Sequence, residues 1–549
     1  MSLNLIAPQQ GAFHFTASNC IGCHSCEAAC SEKNGLPSHV SWRKVGFVET
    51  GTFPNYERIN ISMACNHCDD PVCMKGCPTR AYVKYDDTGA VLQDPDVCFG
   101  CQYCTWVCPY GAPVFDPEAG TVSKCNFCVD RQADGLNPAC VDACLGHALD
   151  FGKRENLLDD HDQVETGIPG FPSPSITKPN VRFEFNNTYA DRYDRPDAMN
   201  LAYQQNGNGH APQVATPSQG GATAAVKWSS LQSSESPLVA FTLMAQGVVG
   251  AFVGLLGLKA AGSAPGTGVT GTWLVTMCAL LGYGLFTSTM HLGRPQYFYR
   301  AMNNLRYSWV SREILFLGGF MTLLLAYTGA TLSGILPPSW MALLGDISLV
   351  FGTVGIYCMV RIYRIPARPF WDNVHTNISF FKSGLILGPL GLALALTIGA
   401  VISGTPWATL PYQMVVGIAI LAAAFGYRAT QNHAKEMAKN GGEAAAALDR
   451  LTGYYGDLYQ LRKACSIALV VCLAGALWIG SPILAAAFIV LGLLLAIAGE
   501  AIERSLFYLV VIPTTMPGAM FLKNAAFEQL ARNTGLARDP AVGVLHDSH

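Results

Sequence analysis

Charge is scarce in this chain. Only 13% of its 549 residues are Asp, Glu, Lys or Arg, and the net charge is −3, so no nucleic-acid partner is expected. Residues 1–19 carry neither a basic stretch nor an apolar core, and no secretory signal is expected there. Between about residues 237 and 513 the apolar runs have almost no polar face at helical period, which excludes a soluble helical core for that half. Histidine is thin in the same half. His291, His375 and His433 are its only members, each read at the end of an apolar run or in a loop. A b-type haem needs two His facing each other inside a bundle, so no haem is expected.

What is present is cysteine, unevenly placed. Sixteen of the twenty lie in the first 144 residues, in four groups of four. Cys20, Cys23, Cys26 and Cys30 have the spacing C-x2-C-x2-C-x3-C, repeated by Cys98, Cys101, Cys104 and Cys108 with Pro109 following. Cys65, Cys68, Cys73 and Cys77 precede Pro78, and Cys125, Cys128, Cys140 and Cys144 form the fourth group. Three closely spaced thiolates hold three corners of an iron–sulfur cube, while the fourth Cys, before Pro, characteristically ligates the neighbouring cluster. Zinc would need two separated pairs around one ion, and disulfide frameworks belong mainly to small secreted chains. The spacing therefore predicts two ferredoxin-like double-cubane halves holding four [4Fe–4S] clusters, in an α+β domain that moves electrons.

The chain divides readably. Residues 1–190 form the cluster domain with a Pro-rich tail, 191–236 a Gln/Asn/Gly/Ala/Ser linker, 237–513 the apolar half, and 514–549 a C-terminal tail. A helical span needs about 20 mostly apolar residues. Eight such runs predict an all-α eight-helix transmembrane bundle: 237–258, 272–290, 314–336, 340–360, 378–402, 410–427, 464–480 and 482–511. Loops 291–313, 361–377 and 428–463 share the side of the cluster domain and hold thirteen Lys or Arg, against Lys259 alone on the other side. That bias predicts an inner-membrane, multi-pass protein whose cluster domain faces the cytoplasm.

Ionisable groups at membrane depth are costly and usually functional. His291 and Arg294 close the second run in H-L-G-R-P, Arg312 and Glu313 open the third, Lys382 lies inside the fifth, and Glu500, Glu503 and Arg504 close the eighth. All fall on the cluster-domain side. A pocket of His291, Arg294, Arg312, Glu313, Glu500 and Arg504 is expected to bind a quinone head group, with His291 and Glu313 exchanging its protons. Arg300, Arg361 and Arg364 read as snorkelling or ion-paired helix ends.

The cysteine groups resemble the four-cluster electron-transfer subunit of the dimethyl-sulfoxide-reductase-type molybdenum enzymes. The apolar half resembles their eight-helix quinone-binding anchor, through P-L-…-Q-G from Pro237, H-L-G-R-P from His291, S-R-E-I from Ser311, Tyr455–Gly456, and A-G-E-A-I-E-R-…-F-Y from Ala498. The resemblance implies that Cys20, Cys23 and Cys26 share a cluster with Cys144, and Cys125, Cys128 and Cys140 with Cys30. It likewise implies Cys65, Cys68 and Cys73 with Cys108, and Cys98, Cys101 and Cys104 with Cys77. Nitrate-reductase relatives replace one third-group Cys with Trp; Cys101 is present here. The family's quinone-site His and acidic residue fall on His291 and Glu313.

The resemblance implies a large molybdopterin catalytic subunit as partner, molybdopterin being absent from this chain, with the membrane quinone pool at the other end. Relatives are normally two chains, and here the two are fused. The inward orientation favours the quinone-linked sulfite dehydrogenase branch, with sulfite oxidised and quinone reduced. The alternatives are a quinol-oxidising subunit of a dimethyl sulfoxide or polysulfide reductase, a quinol dehydrogenase for a cytochrome nitrite reductase, and a passive or ion-translocating tether.

Overall fold

The computed structural model describes residues 10–50, 57–153, 172–184, 235–263, 265–404, 410–440 and 450–511, with the short pieces 193–194, 202–203, 214–215, 444 and 447–448. The linker read at 191–236 lies almost wholly outside the described residues, and the tail at 514–549 wholly so.

The cluster domain is built from short elements because its cysteine loops leave little uninterrupted chain. Its strands are β1 (Gly11–Thr16), β2 (Lys44–Thr50), β3 (Glu57–Met63), β4 (Tyr82–Lys84), β5 (Val91–Gln93), β6 (Val114–Asp116), β7 (Thr121–Ser123), β8 (Leu149–Lys153) and β9 (Val181–Glu184). Strand β1 pairs antiparallel with β8 and parallel with β9, which ties the start of the domain to its end. Strands β2 and β3 form an antiparallel hairpin, as do β4–β5 and β6–β7. Five helices, α1 (Ser25–Asn34), α2 (Val72–Gly76), α3 (Tyr103–Val107), α4 (Val129–Ala133) and α5 (Ala139–Asp142), each begin within a cysteine group. Phe13, Phe127 and Phe151 meet edge to face at 5.2–5.4 Å and close the core.

Among the described residues, eight helices long and apolar enough to span a membrane follow: α6 (Ser236–Ala260), α7 (Thr267–Met290), α8 (Trp309–Ser333), α9 (Pro338–Tyr363), α10 (Val374–Ser403), α11 (Leu410–Asn440), α12 (Gly456–Trp478) and α13 (Pro482–Leu509). Their ends are locally encoded. Ser308 and Asn373 cap α8 and α10 by accepting from the backbone amides of Ser311 and Thr376, and Gly334 and Gly404 stop the same helices in the left-handed conformation. Apolar side chains such as Phe286, Leu325, Leu421, Val471 and Leu494 face outward, while Glu313, Lys382, Glu500 and Arg504 are buried. That inversion of the soluble pattern is what a lipid surround requires.

Helices α6–α9 pack as one set and α10–α13 as another, and α6 against α10 joins them. At this crossing the two backbones touch. A Cβ on Gly250 would come within 2.1 Å of the Gly384 carbonyl, and one on Gly388 within 2.3 Å of the Ala251 amide. Gly384 and Gly388 form the small-x3-small spacing that lets helices in lipid approach closely.

Several expected boundaries move: the fifth run, read from 378, begins as α10 at Val374 and takes in His375, and the seventh, read from 464, begins as α12 at Gly456 and takes in Arg462. The sixth run, read as 410–427, continues as α11 to Asn440, so His433 lies inside a helix and not in a loop. Its last three turns are amphipathic, with His433 and Met437 turned inward and buried.

A Gly388→Leu change forces a side chain into the α6–α10 crossing. Overpacking of this kind costs roughly 1–3 kcal/mol or more, so the melting temperature of the detergent-solubilised protein is expected to fall. The same change at Gly257, which faces open space, should leave it within about a degree.

Candidate functional site

The four cysteine groups share one backbone device. In each C-x2-C loop the residue before the second Cys takes a left-handed conformation: Gly22 (φ 69°), His67 (φ 43°), Gly100 (φ 74°) and Phe127 (φ 64°). Two of these are not glycine, so the loop geometry outweighs the local strain at those positions. Such turns aim successive amides inward and suit an anionic cluster.

The cysteines sort into four sets of electrostatic neighbours. Cys20 faces Cys23, Cys26 and Cys144. Cys30 faces Cys128 and Cys140, and Cys125 faces Cys30 and Cys140. Cys68 faces Cys65, Cys73 and Cys108, while Cys104 faces Cys77, Cys98 and Cys101. In every set the last Cys of one motif stands with the first three of another. The first set lines a cavity with Phe15, Ile21 and Ser62. None of the cysteines is in a disulfide. Four cysteines lining one cavity, as Cys20, Cys23, Cys26 and Cys144 do, fit an iron–sulfur cube.

The sets also have an order. Cys26 neighbours Cys140, linking the first set to the second, and Cys125 neighbours Cys65, linking the second to the third. Tyr82 lies within reach of both Cys73 and Cys104, between the third and fourth. Two buried cations sit at the links. Arg43 faces Cys26, Cys30, Cys125 and Cys140, and Lys124 faces Cys65, Cys73 and Cys125. Positive charge in a dry interior favours the more reduced, more negative state of an adjacent cluster. His67, sealed beneath Phe127 at 4.0 Å, accepts from the Val91 amide. Burial, then Lys124, Lys84 and Arg43, hold it well below the usual histidine range, so it stays neutral.

The fourth set faces the membrane helices through a tight seam. Gly293 and Arg294 donate backbone amides to Gly100 (3.2 Å) and Phe99 (3.0 Å). A Cβ on Gly293 would lie 2.2 Å from the Gly120 carbonyl, so the two backbones leave no room for a side chain. Around them Arg294 donates to Ala119 and Pro95, Arg300 to Asp96, Asn304 to Cys77, and Ser308 to Gly76. From helix α3, beside Cys104, the Tyr103 hydroxyl donates to Ile362, while Arg368 donates to Trp106 and Thr105. Burial pushes Arg368 down to about 10, so it keeps its charge at neutral pH. Trp106 enters an aromatic cluster with Tyr363, Trp371 and Tyr508 at 5.5–6.5 Å.

This seam reassigns several residues singled out as quinone ligands. The guanidinium of Arg294 is committed to the cluster domain. Arg312 is committed to the carbonyls of Leu305 and Arg306 and to the face of Trp309. Arg300, read as a snorkelling end, is a docking residue too. Glu500 and Arg504 belong to a separate polar cluster around Lys382 and Ser383. The arginine surplus on this side is therefore partly structural. Arg294, Arg300, Arg312, Arg364, Arg368 and Arg462 have hydrogen-bond or ion-pair partners in the protein, which leaves seven of the thirteen against one. The sign of the bias stands.

Two of the expected residues keep the features of a reactive site. His291, just beyond α7, is half-buried and directs Nδ1 at the Ser288 carbonyl, 2.5 Å away. A carbonyl only accepts, so Nδ1 carries the hydrogen and Nε2 is left as an acceptor. Burial lowers the affinity of this ring for a second proton. Glu313 is buried, and among the described residues it has no hydrogen-bond or ion-pair partner. It lies within electrostatic reach of Tyr103, Tyr363 and Tyr508. No hydrogen bond joins His291 to Glu313. Seam residues such as Asn304 and Arg368 carry no sequence signal, because their partners are backbone atoms far away in sequence.

Comparison with known proteins matches residues 231–510 to the family of the DMSO reductase anchor subunit (DmsC), and residues 57–154 to the 4Fe-4S dicluster domain. An anaerobic dimethyl sulfoxide reductase chain of Escherichia coli K12 is 39% identical over 180 residues, covering 31% of this chain and 87% of that protein. A sulfite dehydrogenase subunit of Allochromatium vinosum is 39% identical over 154 residues, 24% of this chain and 64% of that protein. A tetrathionate reductase subunit of Salmonella typhimurium is 38% identical over 149 residues, 27% of this chain and 58% of that protein.

Gly293→Val should part the seam without touching a cysteine. The protein is expected to retain its iron–sulfur absorbance, while limited proteolysis releases the cluster domain from the membrane at least several-fold faster.

Proposed function

Because the chain belongs to the DMSO reductase anchor subunit (DmsC) family and carries a 4Fe-4S dicluster domain ahead of that anchor, it is an iron–sulfur electron-transfer and membrane-anchor subunit, and we propose that it joins a separate molybdopterin subunit to membrane quinone. Four [4Fe–4S] clusters would be held by the four cysteine sets, each set taking its fourth ligand from another motif. The observation that carries this reading is the position of α3. It bears Cys104, precedes Cys108, and packs on the membrane helices within electrostatic reach of the buried carboxyl of Glu313, which has no partner among the described residues.

When bound, the clusters supply one-electron chemistry. The protein's own residues do the rest. The seam excludes water between the fourth cysteine set and the bundle, and His291 Nε2 and the Glu313 carboxyl offer proton acceptors beside the membrane. Arg294 and Arg312 hold the structure around this region and do not touch the quinone. The cluster domain faces the cytoplasm in this reading, on the strength of the remaining cationic surplus.

The favoured direction is sulfite oxidation with quinone reduction, supported by that orientation and by the likeness to a sulfite dehydrogenase subunit. The second reading, a quinol-oxidising terminal reductase, is favoured by the likeness to a dimethyl sulfoxide reductase chain, which covers more of that relative. Both use the same parts in opposite directions.

The purified protein should contain about 16 iron atoms per chain, four per cluster. In the anaerobic complex, sulfite should bleach the clusters and a quinone analogue should restore them; bleaching by quinol alone would favour the terminal reductase. Glu313→Gln should slow quinone-driven reoxidation about 10²-fold, the usual loss with a proton-transfer group, and leave iron content unchanged.

A further inference from the structure

The membrane half carries a group of cations that no anion among the described residues answers. Elsewhere in the bundle the polar groups meet one another. Lys382 bridges Glu500 (2.9 Å) and Glu503 (2.7 Å), Arg462 reaches Glu503 at 3.1 Å, and His375 stacks on His433 at 4.6 Å. Between His291 and Arg312 the chain has four arginines and neither Asp nor Glu. Arg294 and Arg300 donate to the cluster domain. Arg306 and Arg312 stay on the membrane side, and Arg361, near the end of α9, joins them.

These three gather on aromatic rings at the cluster-side end of α8 and α9. Arg312 lies over Trp309 at 4.3 Å, Arg361 over the same ring at 5.0 Å, and Arg306 over Tyr307 at 5.2 Å. Trp309 meets Tyr357 of α9 edge to face at 6.0 Å, so the group straddles the groove between the two helices. Arg312 donates from Nε and Nη2 to the Leu305 and Arg306 carbonyls, and its Nη1 has no partner among the described residues. The guanidinium groups of Arg306 and Arg361 have neither a hydrogen bond nor an ion pair there. Stacking on a ring leaves the N–H edge of a guanidinium open to a phosphate.

Snorkelling alone would send each head group separately into water. Arg361 instead crosses to a ring on the neighbouring helix, which sets it within about 9 Å of Arg312. Like charges that close repel at a membrane surface, where the dielectric is lower than in water, and an anion between them reverses the sign. The surroundings select the anion. The segment leading into α8 exposes Phe298, Tyr299, Met302 and Leu305. Two turns further into the membrane the half-buried Phe316 and Phe351 meet at 5.4 Å, so the groove runs on as a row of rings. A site that is cationic at one end and apolar along its length matches a charged head group with acyl tails.

We propose that Arg306, Arg312 and Arg361 bind the phosphate of an anionic phospholipid, whose acyl chains lie along the groove between α8 and α9. The lipid neutralises the three arginines and braces the start of α8, where Arg312 also holds the segment that docks the cluster domain. The inference is independent of the quinone site and of the direction in which electrons run.

The test uses the intact complex in detergent, stripped of its native lipid and titrated with palmitoyl-oleoyl phosphatidylglycerol or with phosphatidylcholine of the same chains. Native mass spectrometry should show one phosphatidylglycerol bound about tenfold more tightly than phosphatidylcholine, and that lipid alone should raise the melting temperature. Arg306→Gln combined with Arg361→Gln should lower phosphatidylglycerol affinity about tenfold and abolish the thermal shift. Phosphatidylcholine binding and the melting temperature without lipid should stay as in the wild type. Lys435→Gln combined with Lys439→Gln removes the same charge from the exposed end of α11 and should change nothing. Equal affinity of the wild-type complex for the two lipids would overturn the site. An equal loss in the α11 pair would reduce it to diffuse attraction to a basic face. Release of the lipid by millimolar inorganic phosphate would replace the lipid with a soluble anion. Selectivity in the chain purified alone but not in the complex would give the patch to the catalytic subunit.

Discussion

An electron-transfer domain attached to a membrane anchor has to be held against it at a fixed distance, and the contact of backbone on backbone at Gly100, Gly120 and Gly293 is where the fold does so. Everything near it is arranged to hold that contact. The cysteine loop that turns at Gly100 also presents Phe99 and Gly100 carbonyls to the membrane half. The segment between α7 and α8 answers with two amides, and its arginines reach past them to Pro95, Asp96 and Ala119. Side-chain contacts would let the two halves shift by rotamer changes; contact between main chains does not. The aromatic cluster from Trp106 to Tyr508 fills the remaining space with large rigid groups that exclude water.

The membrane half answers a different constraint, the cost of charge in lipid. It segregates that cost. The α10–α13 set holds an ion-paired network in which Lys382 serves two carboxylates, while the α6–α9 set holds Glu313 alone. Gly250, Gly384 and Gly388 press the two sets together closely enough for Arg504 to reach Gln246 across the crossing. The same small residues that make the bundle compact thus bring its polar parts into register.

Much of this was legible from residues alone. The cysteine groups announce themselves because cluster ligation demands fixed short spacings within one loop. The eight spans are visible because lipid admits few charges, and His291 and Glu313 stand out for the same reason. Three things were not legible. The docking role of Arg294 and Arg300 depends on carbonyls nearly 200 residues away, and a carbonyl has no sequence signature. The true length of α11 was hidden because its last turns are amphipathic, so a hydropathy window ends at Tyr427 while the helix runs to Asn440. The pairing of His375 with His433 followed from that, since a residue read as loop has no face to share with another helix. The loop charges taught a related lesson: part of a surplus that looks topological is used in binding the chain to itself.

That both halves belong to one chain changes what the seam has to provide. Domains joined in one chain meet at an effective concentration set by the connection between them, whatever the strength of the contact. A seam between separate subunits would need enough affinity to survive dilution. Here it needs only to choose one alignment among those the tether permits, which suits an interface whose directional hydrogen bonds and close-packed glycines are backed by the aromatic cluster around Trp106. Stoichiometry is settled in the same stroke, since every anchor made at the ribosome arrives with its own set of electron carriers.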